Sequence, residues 1–385
     1  MINNLQEIHQ MCIKCITPVN ISDGTKLNSK EYLYDRFNGR VYFLNHVLWH
    51  KFIYSHKLLG AYERYLLDYR EKRNLYEWLQ SFGHNIKTVA DTIKSSAFSQ
   101  VNVINIRDKR TVNDIICQAR LADGKIFVPG SSIKGVIRTA VIYKLLQGNS
   151  AVKEKYWQEA VRAYNKRAFD KSAADVEKDL LHKLKVTNDK NELVKNNNAV
   201  CSVMRGISCS DAYSDSAVAT SILQKIDIAF SREGYLNENK ISVFRECIVP
   251  ETVFKFTVKI DKTMLGEIGL KSIEDVLNAV EEYFKFVNTM LCKAFGSKYK
   301  QLFAESASAN IYLGGGTGFL TKTILAALAP DMNDAVFIIK KLLDESFKKH
   351  NHRAWDKNIS PRTLKATKYK NKLCLIGMAE MYKDE

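Results

Sequence analysis

The chain is 385 residues long, 46% hydrophobic and 10% aromatic, and carries a formal net charge of +16. Its length exceeds what a single core commonly serves, so two domains are expected, and its apolar content is enough to fill them. No apolar run reaches the roughly 18 residues of a spanning helix, no basic start followed by an apolar core marks a secretory signal, and so large a positive excess implies a polyanionic partner, with nucleic acid in the cytoplasm favoured over a membrane surface.

In chain order, residues 7–19 alternate well enough for a first strand, which ends at Pro18 and the turn Asn20-Ile21-Ser22-Asp23-Gly24. Cys12 and Cys15 form a lone C-x-x-C within it. On a strand their thiols point to opposite faces, and with no second pair at matching spacing neither a metal nor another cofactor is expected. Residues 32–34 and 41–44 flank Asn38-Gly39 as a hairpin. Residues 46–59 and 62–82 read as amphipathic helices that stop at Gly60 and Gly83. Strand-like residues 101–106 and 115–119 are joined by the charged loop Arg107-Asp108-Lys109-Arg110.

The most informative stretch is Val128-Pro129-Gly130-Ser131-Ser132-Ile133-Lys134-Gly135-Val136-Ile137-Arg138-Thr139-Ala140. A short apolar strand precedes it, and apolar residues at helical spacing follow until Gly148. Ser131 or Ser132 can cap that helix, while Gly130 and Gly135 let another backbone come close. The helix start offers unpaired amides and a partial positive charge to an anion, and Lys134 and Arg138 share one face. Ordinary capping and a solvated Lys/Arg face are the alternative reading of the same residues.

Residues 150–198 turn to charged helix and then to a polar segment without apolar period, the expected domain boundary. Strands resume at 206–211, 222–230, 241–249 and 253–260, the last two as a hairpin about Pro250, and residues 273–295 form an amphipathic helix. Then comes Gly314-Gly315-Gly316-Thr317-Gly318-Phe319, after strand-like residues 310–313 and before a helix at 320–328, with Lys322 close behind. So many glycines bury nothing, which points to a backbone approached by a ligand. The final region is strongly basic, with Arg353, Arg362, Lys365 and Lys368 interleaved with Trp355 and Tyr369 ahead of a closing strand at 372–381. Cations and aromatics together are what single-stranded RNA needs.

Val-Pro-Gly-Ser-Ser-x-Lys-Gly-x-x-Arg-Thr early and a glycine-rich loop late resemble the signature of the RAMP superfamily of CRISPR effector subunits. Glu31-Tyr32-Leu33-Tyr34-Asp35, residues 313–321 and Pro361-Arg362-Thr363-Leu364-Lys365-Ala366-Thr367-Lys368-Tyr369 narrow the resemblance to the family of fifth subunits of the type III-A Csm complex, which cap the 3′ end of the guide RNA. The resemblance runs from near residue 12 to the C-terminus and is weakest in the middle. One departure is that Asn20-Ile21-Ser22-Asp23-Gly24 stands where the family often has His-Ile-Gly-x-Gly.

The resemblance implies an α+β fold of two ferredoxin-like, RRM-type modules with helical insertions, divided at 1–198 and 199–385. It implies a non-catalytic subunit that lays CRISPR RNA across Gly130, Ser131, Ser132, Lys134, Gly135 and Arg138 and across Gly314, Gly315, Gly316, Thr317, Gly318 and Lys322, with Arg353, Arg362, Lys365 and Lys368 holding the 3′ portion. Its partners would be other Csm subunits, the adjacent backbone RAMP subunit among them, together with target RNA and host trimming nucleases. The alternative is a metal-independent endoribonuclease, for which His84, His182, His350 and His352 are available but fall outside the motif loops. An ATPase is disfavoured, because Thr321 stands where a P-loop needs its second glycine.

Overall fold

The computed structural model describes residues 5–35, 38–84, 97–103, 112–163 and 166–384. The charged loop at 107–110 lies outside them. The class is α+β, as expected, and two sheets carry it.

The first sheet has the order β11-β14-β1-β10-β7, antiparallel throughout. Its strands are β1 (Gln6–Cys15), β7 (Ile207–Cys209), β10 (Val253–Asp261), β11 (Ile311–Tyr312) and β14 (Met378–Lys383). Alternation places Met11, Ile13 and Cys15 of β1 on a fully buried face beside Phe254, Phe256 and Val258 of β10. Helices at Gly130–Gln147 and Ile273–Tyr299 contribute Ile133, Ile137, Val280 and Val287 to the same core. One strand–helix–strand–strand–helix–strand succession therefore reaches from residue 6 to residue 383, and the boundary expected at 198 does not separate two sheets.

The second sheet runs β2-β6-β9-β8-β5-β4-β3. These are β2 (Lys26–Leu27), β3 (Tyr32–Asp35), β4 (Arg40–Leu44), β5 (Ala97–Val103), β6 (Ile115–Ile116), β8 (Thr220–Phe230) and β9 (Leu236–Ile248). β9 lines one edge of β8; the other edge is shared by β5 at its start and by β12 (Thr363–Tyr369) farther along. The hairpin expected between 241–249 and 253–260 is not formed. β9 pairs with β8 and β6, whereas β10 belongs to the first sheet. Glu251, at φ +69°, donates its amide to the Cys15 carbonyl at 2.7 Å and turns the chain from one sheet into the other. The closing strand divides likewise: β13 (Lys372–Leu375) pairs with β12, and Gly377 at φ +85° passes the chain to β14.

The stretches expected as two long helices are three short ones, α1 (His46–Ser55), α2 (Leu59–Leu67) and α3 (Leu75–Gln80). Lys57 at φ +53° breaks the first, and Asn74 opens the last with a capping box to Glu77. Their Trp49, Phe52, Tyr62, Tyr65 and Trp78 pack into a separate small core. The charged insertion forms helices at Ser150–Arg162 and Lys166–Leu181, whose Tyr156, Trp157 and Val176 join the main core.

Candidate nucleic-acid interface

The helix of the first motif, α4 (Gly130–Gln147), starts two residues earlier than a serine cap would allow. Pro129 occupies the cap position, and neither Ser131 nor Ser132 caps it. The Gly130 amide instead donates to Asp211 Oδ1 at 2.7 Å. A carboxylate of the protein thus occupies the positive end of the helix, where the sequence predicts a phosphate. A Cβ on Gly130 would stand 2.4 Å from the Cys209 carbonyl, so this glycine serves the packing of α4 on β7.

The open face lies one turn farther on. Ser132, Gly135, Arg138 and Thr139 line a cleft of about 440 Å³, and nothing stands within 4 Å of a Cβ at Gly135. A ligand chain can therefore approach the helix backbone there. Arg138 reaches Glu177 Oε1 at 3.3 Å, an exposed pair of the kind that contributes little and is readily exchanged. Lys134 is half-buried just outside the cleft without a hydrogen-bond or ion-pair partner among the described residues; burial lowers its pKa, and the nearby Arg138 charge adds to that.

The opposite wall is the glycine loop. Gly314, Gly315, Thr321 and Lys322 line the same cleft, with Ile21, Ser22 and Tyr283 between the two walls. The loop's glycines are not free of packing duties, contrary to expectation. Gly314 at φ +82° admits the Asn20 carbonyl 2.2 Å from where its Cβ would stand, and the Gly315 amide donates to that carbonyl at 2.6 Å. Gly316 curls over the Arg245 guanidinium, and the Thr321 hydroxyl fixes the bend, lying 2.8 Å from Thr317 Oγ1 and 3.0 Å from the Gly318 carbonyl. Thr317 is buried. The helix expected at 320–328 is a 3₁₀ turn, Leu320–Lys322, and one short helical turn, Leu325–Leu328. Burial lowers the Lys322 pKa, and the charge of Arg245 lowers it further.

The sequence does not single out Arg245, which reads there as one charge within an alternating strand. Its Nη1 donates to Asn20 Oδ1 at 2.8 Å, and its buried Nε has no hydrogen-bond partner among the described residues. Asn20 is itself fully buried and donates to the Glu246 carbonyl at 2.8 Å. The turn that departs from the family pattern is thereby tied to the glycine loop.

Much of the basic C-terminal set is engaged within the protein. Arg362 donates to Asp356 Oδ1 at 2.9 Å, and that carboxylate, fully buried, also accepts from Ser360 at 2.7 Å and lies 2.8 Å from His352 Nδ1. Arg353 lies 3.6 Å from Asp344 and 3.8 Å from Glu345. Lys365 donates to Asp227 at 3.0 Å, and its side chain passes 3.6 Å from a Cβ placed on Gly318. Lys368, half-buried, has no side-chain partner among the described residues. Of the four histidines considered for catalysis, none lines the cleft; His182 faces the Asn196 carbonyl, and His84 packs on His56 and Phe52.

Known proteins resemble this chain in sequence and in architecture. A family model described as RAMP superfamily matches residues 12–320. Among curated proteins, "CRISPR system Cms protein Csm5" of Mycobacterium tuberculosis (strain ATCC 25618 / H37Rv) is 24% identical over 388 residues, covering 97% of this chain and 96% of that one. The protein of the same name from Enterococcus italicus is 24% identical, covering 83% and 80%. Two solved structures share the fold. A chain of a cryo-EM "Csm-crRNA-target RNA ternary complex in type III-A CRISPR-Cas system" has TM-score 0.60 and 17% identity over 98% of this chain and 100% of that one. The crystal structure of T. onnurineus Csm5 has TM-score 0.58 and 14% identity over 96% and 99%. No helix among the described residues is long and apolar enough to cross a membrane.

Proposed function

This chain belongs to the RAMP superfamily, and from that premise we propose that it is the Csm5-type RNA-binding subunit of a type III-A CRISPR effector complex. In this reading it holds the 3′ portion of the guide RNA without cleaving it, supports guide maturation, and acts in the cytoplasm beside other Csm subunits, target RNA and trimming nucleases. The observation that carries the reading is the convergence of Ser132, Gly135 and Arg138 with Gly314, Gly315 and Lys322 around one cleft. Open backbone and two cations suit a sugar-phosphate chain, which asks for charge and close approach rather than base-edge complementarity. The names of the relatives, which extend over nearly the whole chain, support the same assignment.

The test is retention of guide RNA by the assembled complex as salt is raised. Replacing Arg138 and Lys322 by Ala is expected to weaken retention and to flatten its salt dependence by about 0.7 log units per log unit of salt for each phosphate no longer neutralised. An unchanged slope, with the fold intact, would remove the cleft from the RNA path.

A further inference from the structure

One ring of the basic C-terminal region is shared by two arginines. Trp355 closes the short helix His352–Trp355 and is only half-buried. The Arg362 guanidinium carbon lies 4.9 Å from its ring centroid, and that of Arg232, from the turn between β8 and β9, lies 4.3 Å from it. We propose that the Trp355 ring is a stacking platform for one unpaired base of single-stranded RNA, which takes the place of Arg232 upon it. The site rests on the RNA-binding reading above, and none of its residues lines the cleft.

The two guanidinium groups are held very differently. Arg362 donates to the fully buried Asp356 at 2.9 Å and to the His350 carbonyl at 3.3 Å, so it supports the ring from a fixed position. Arg232 is exposed, and its side chain has no hydrogen-bond or ion-pair partner among the described residues. The contact with the ring is what keeps it there, and at an exposed site a cation on an indole face contributes less than a stacked base does. Exchange of one for the other is therefore favourable. The displaced guanidinium remains beside the incoming strand, where it can cover the base or pair with its phosphate. Because Asp356 and Arg362 fix the platform beforehand, little ordering is left to oppose binding.

Charge around the ring favours RNA over a protein partner. Lys348 and Lys349 stand exposed on the turn whose His350 carbonyl receives Arg362, and Lys357 donates to the Arg232 carbonyl at 3.4 Å. None of these three lysines has an ion-pair partner among the described residues. The carboxylates nearby are engaged: Asp356 with Arg362 and His352, Asp344 and Glu345 with Arg353. Glu233, in the same turn as Arg232, is bound by the Ser231 hydroxyl, which holds its carboxyl below the ordinary range, with the Arg232 and Lys357 charges acting in the same direction. A ring flanked by such cations serves a base and its phosphates together, whereas a protein carboxylate would pair with the lysines and gain nothing from the ring. Every base has a flat face, so the platform is indifferent to sequence.

The experiment uses the full chain and two short single-stranded RNAs of equal length, one intact and one made wholly of abasic nucleotides, with affinity read by fluorescence anisotropy. Both offer the same phosphates, and only the first offers bases. The wild-type chain is expected to bind the intact strand at least about tenfold more tightly, the scale of one base on an aromatic side chain. Trp355→Leu should shrink that ratio by about the same factor, and Trp355→Phe, which keeps a smaller ring, should shrink it less. Equal affinity of the wild type for both strands, as phosphate contacts alone would give, overturns the platform without recourse to any variant. A ratio that survives in a folded Trp355→Leu chain, checked by its melting curve, overturns it too, while RNA binding stands in either case. Failure of the wild type to bind either strand overturns the RNA-binding reading and the platform with it.

Discussion

Arg245 and Asn20 join by one hydrogen bond, Nη1 to Oδ1 at 2.8 Å, and it ties the 20–24 turn to the strand beneath the glycine loop. Asn20 opens the turn that follows β1 and Arg245 lies on β9, while the Asn20 carbonyl takes the Gly315 amide at 2.6 Å. A cation with an open Nε is thus locked beneath the glycine loop. Burial lowers its pKa, yet a guanidinium remains charged at any working pH. Arg245→Ala is expected to reduce RNA affinity about tenfold or more, because Asn20 loses a charge-assisted partner and the glycine loop its support. Arg245→Lys should recover only part of this, because an ammonium lacks the planar fork that reaches Asn20 Oδ1 beneath the loop. Anisotropy titrations of the pair against wild type decide it.

Gly130 and Gly135 look alike in the motif and act differently. A Cβ at Gly130 meets the Cys209 and Ser210 carbonyls at 2.4 and 2.6 Å, so Gly130→Ala should destabilise the fold by about 2 kcal/mol or more. Gly135→Ala meets nothing within 4 Å and gains helix propensity of up to about 1 kcal/mol. It should therefore raise or preserve thermal stability while weakening RNA binding. Melting curves and binding isotherms for the two variants must diverge in opposite directions for this to hold.

The two glycines also show what can be read from the sequence. The α+β class is legible because the alternation at Phe254, Phe256, Val258 and Ile260 and the helical period after Ile133 are local. Strand partners are not local. The period of β9 identifies a strand but cannot tell that Glu251 hands the chain to another sheet. At the site, Ser132, Gly135, Arg138, Gly314, Gly315 and Lys322 are legible because glycine and cation patterns mark themselves. Arg245 escapes notice because its partner Asn20 is far away in the sequence, and Arg362 reads as an RNA ligand because nothing in the local pattern shows that the nearby Asp356 is buried and takes its charge.

Lys134 and Lys322 give the interface a pH signature. Burial is the main cause that lowers both pKa values, and the nearby arginines Arg138 and Arg245 act in the same direction. A phosphate is bound by the protonated form, so affinity should fall as pH rises through a range below that of an ordinary lysine. Stability moves the other way. With folded pKa values below the unfolded ones, the unfolded chain holds more protons in that window, and unfolding free energy increases with pH across it. Methionine at both positions should abolish the alkaline loss of affinity, which a pH series of binding isotherms would measure; a loss that persists in the double variant would assign it to other groups.

Arg362 offers the sharpest separation of stability from binding. Burial alone would raise the Asp356 carboxyl, but hydrogen bonds from His352, Ser360 and Arg362 outweigh it and leave its pKa lowered. Such a group stabilises the fold fully above its unfolded value near 3.8 and ceases to do so as pH falls through the lower folded value. Arg362→Ala leaves the fully buried Asp356 without its guanidinium, and breaking a buried pair in this way costs about 3–5 kcal/mol. Replacing Lys368, which has no partner among the described residues, should instead leave the melting temperature nearly unchanged and lower RNA affinity. If Arg362→Ala melts like wild type and binds RNA weakly, its side chain belongs to the RNA surface after all, and the buried network does not hold that segment in place.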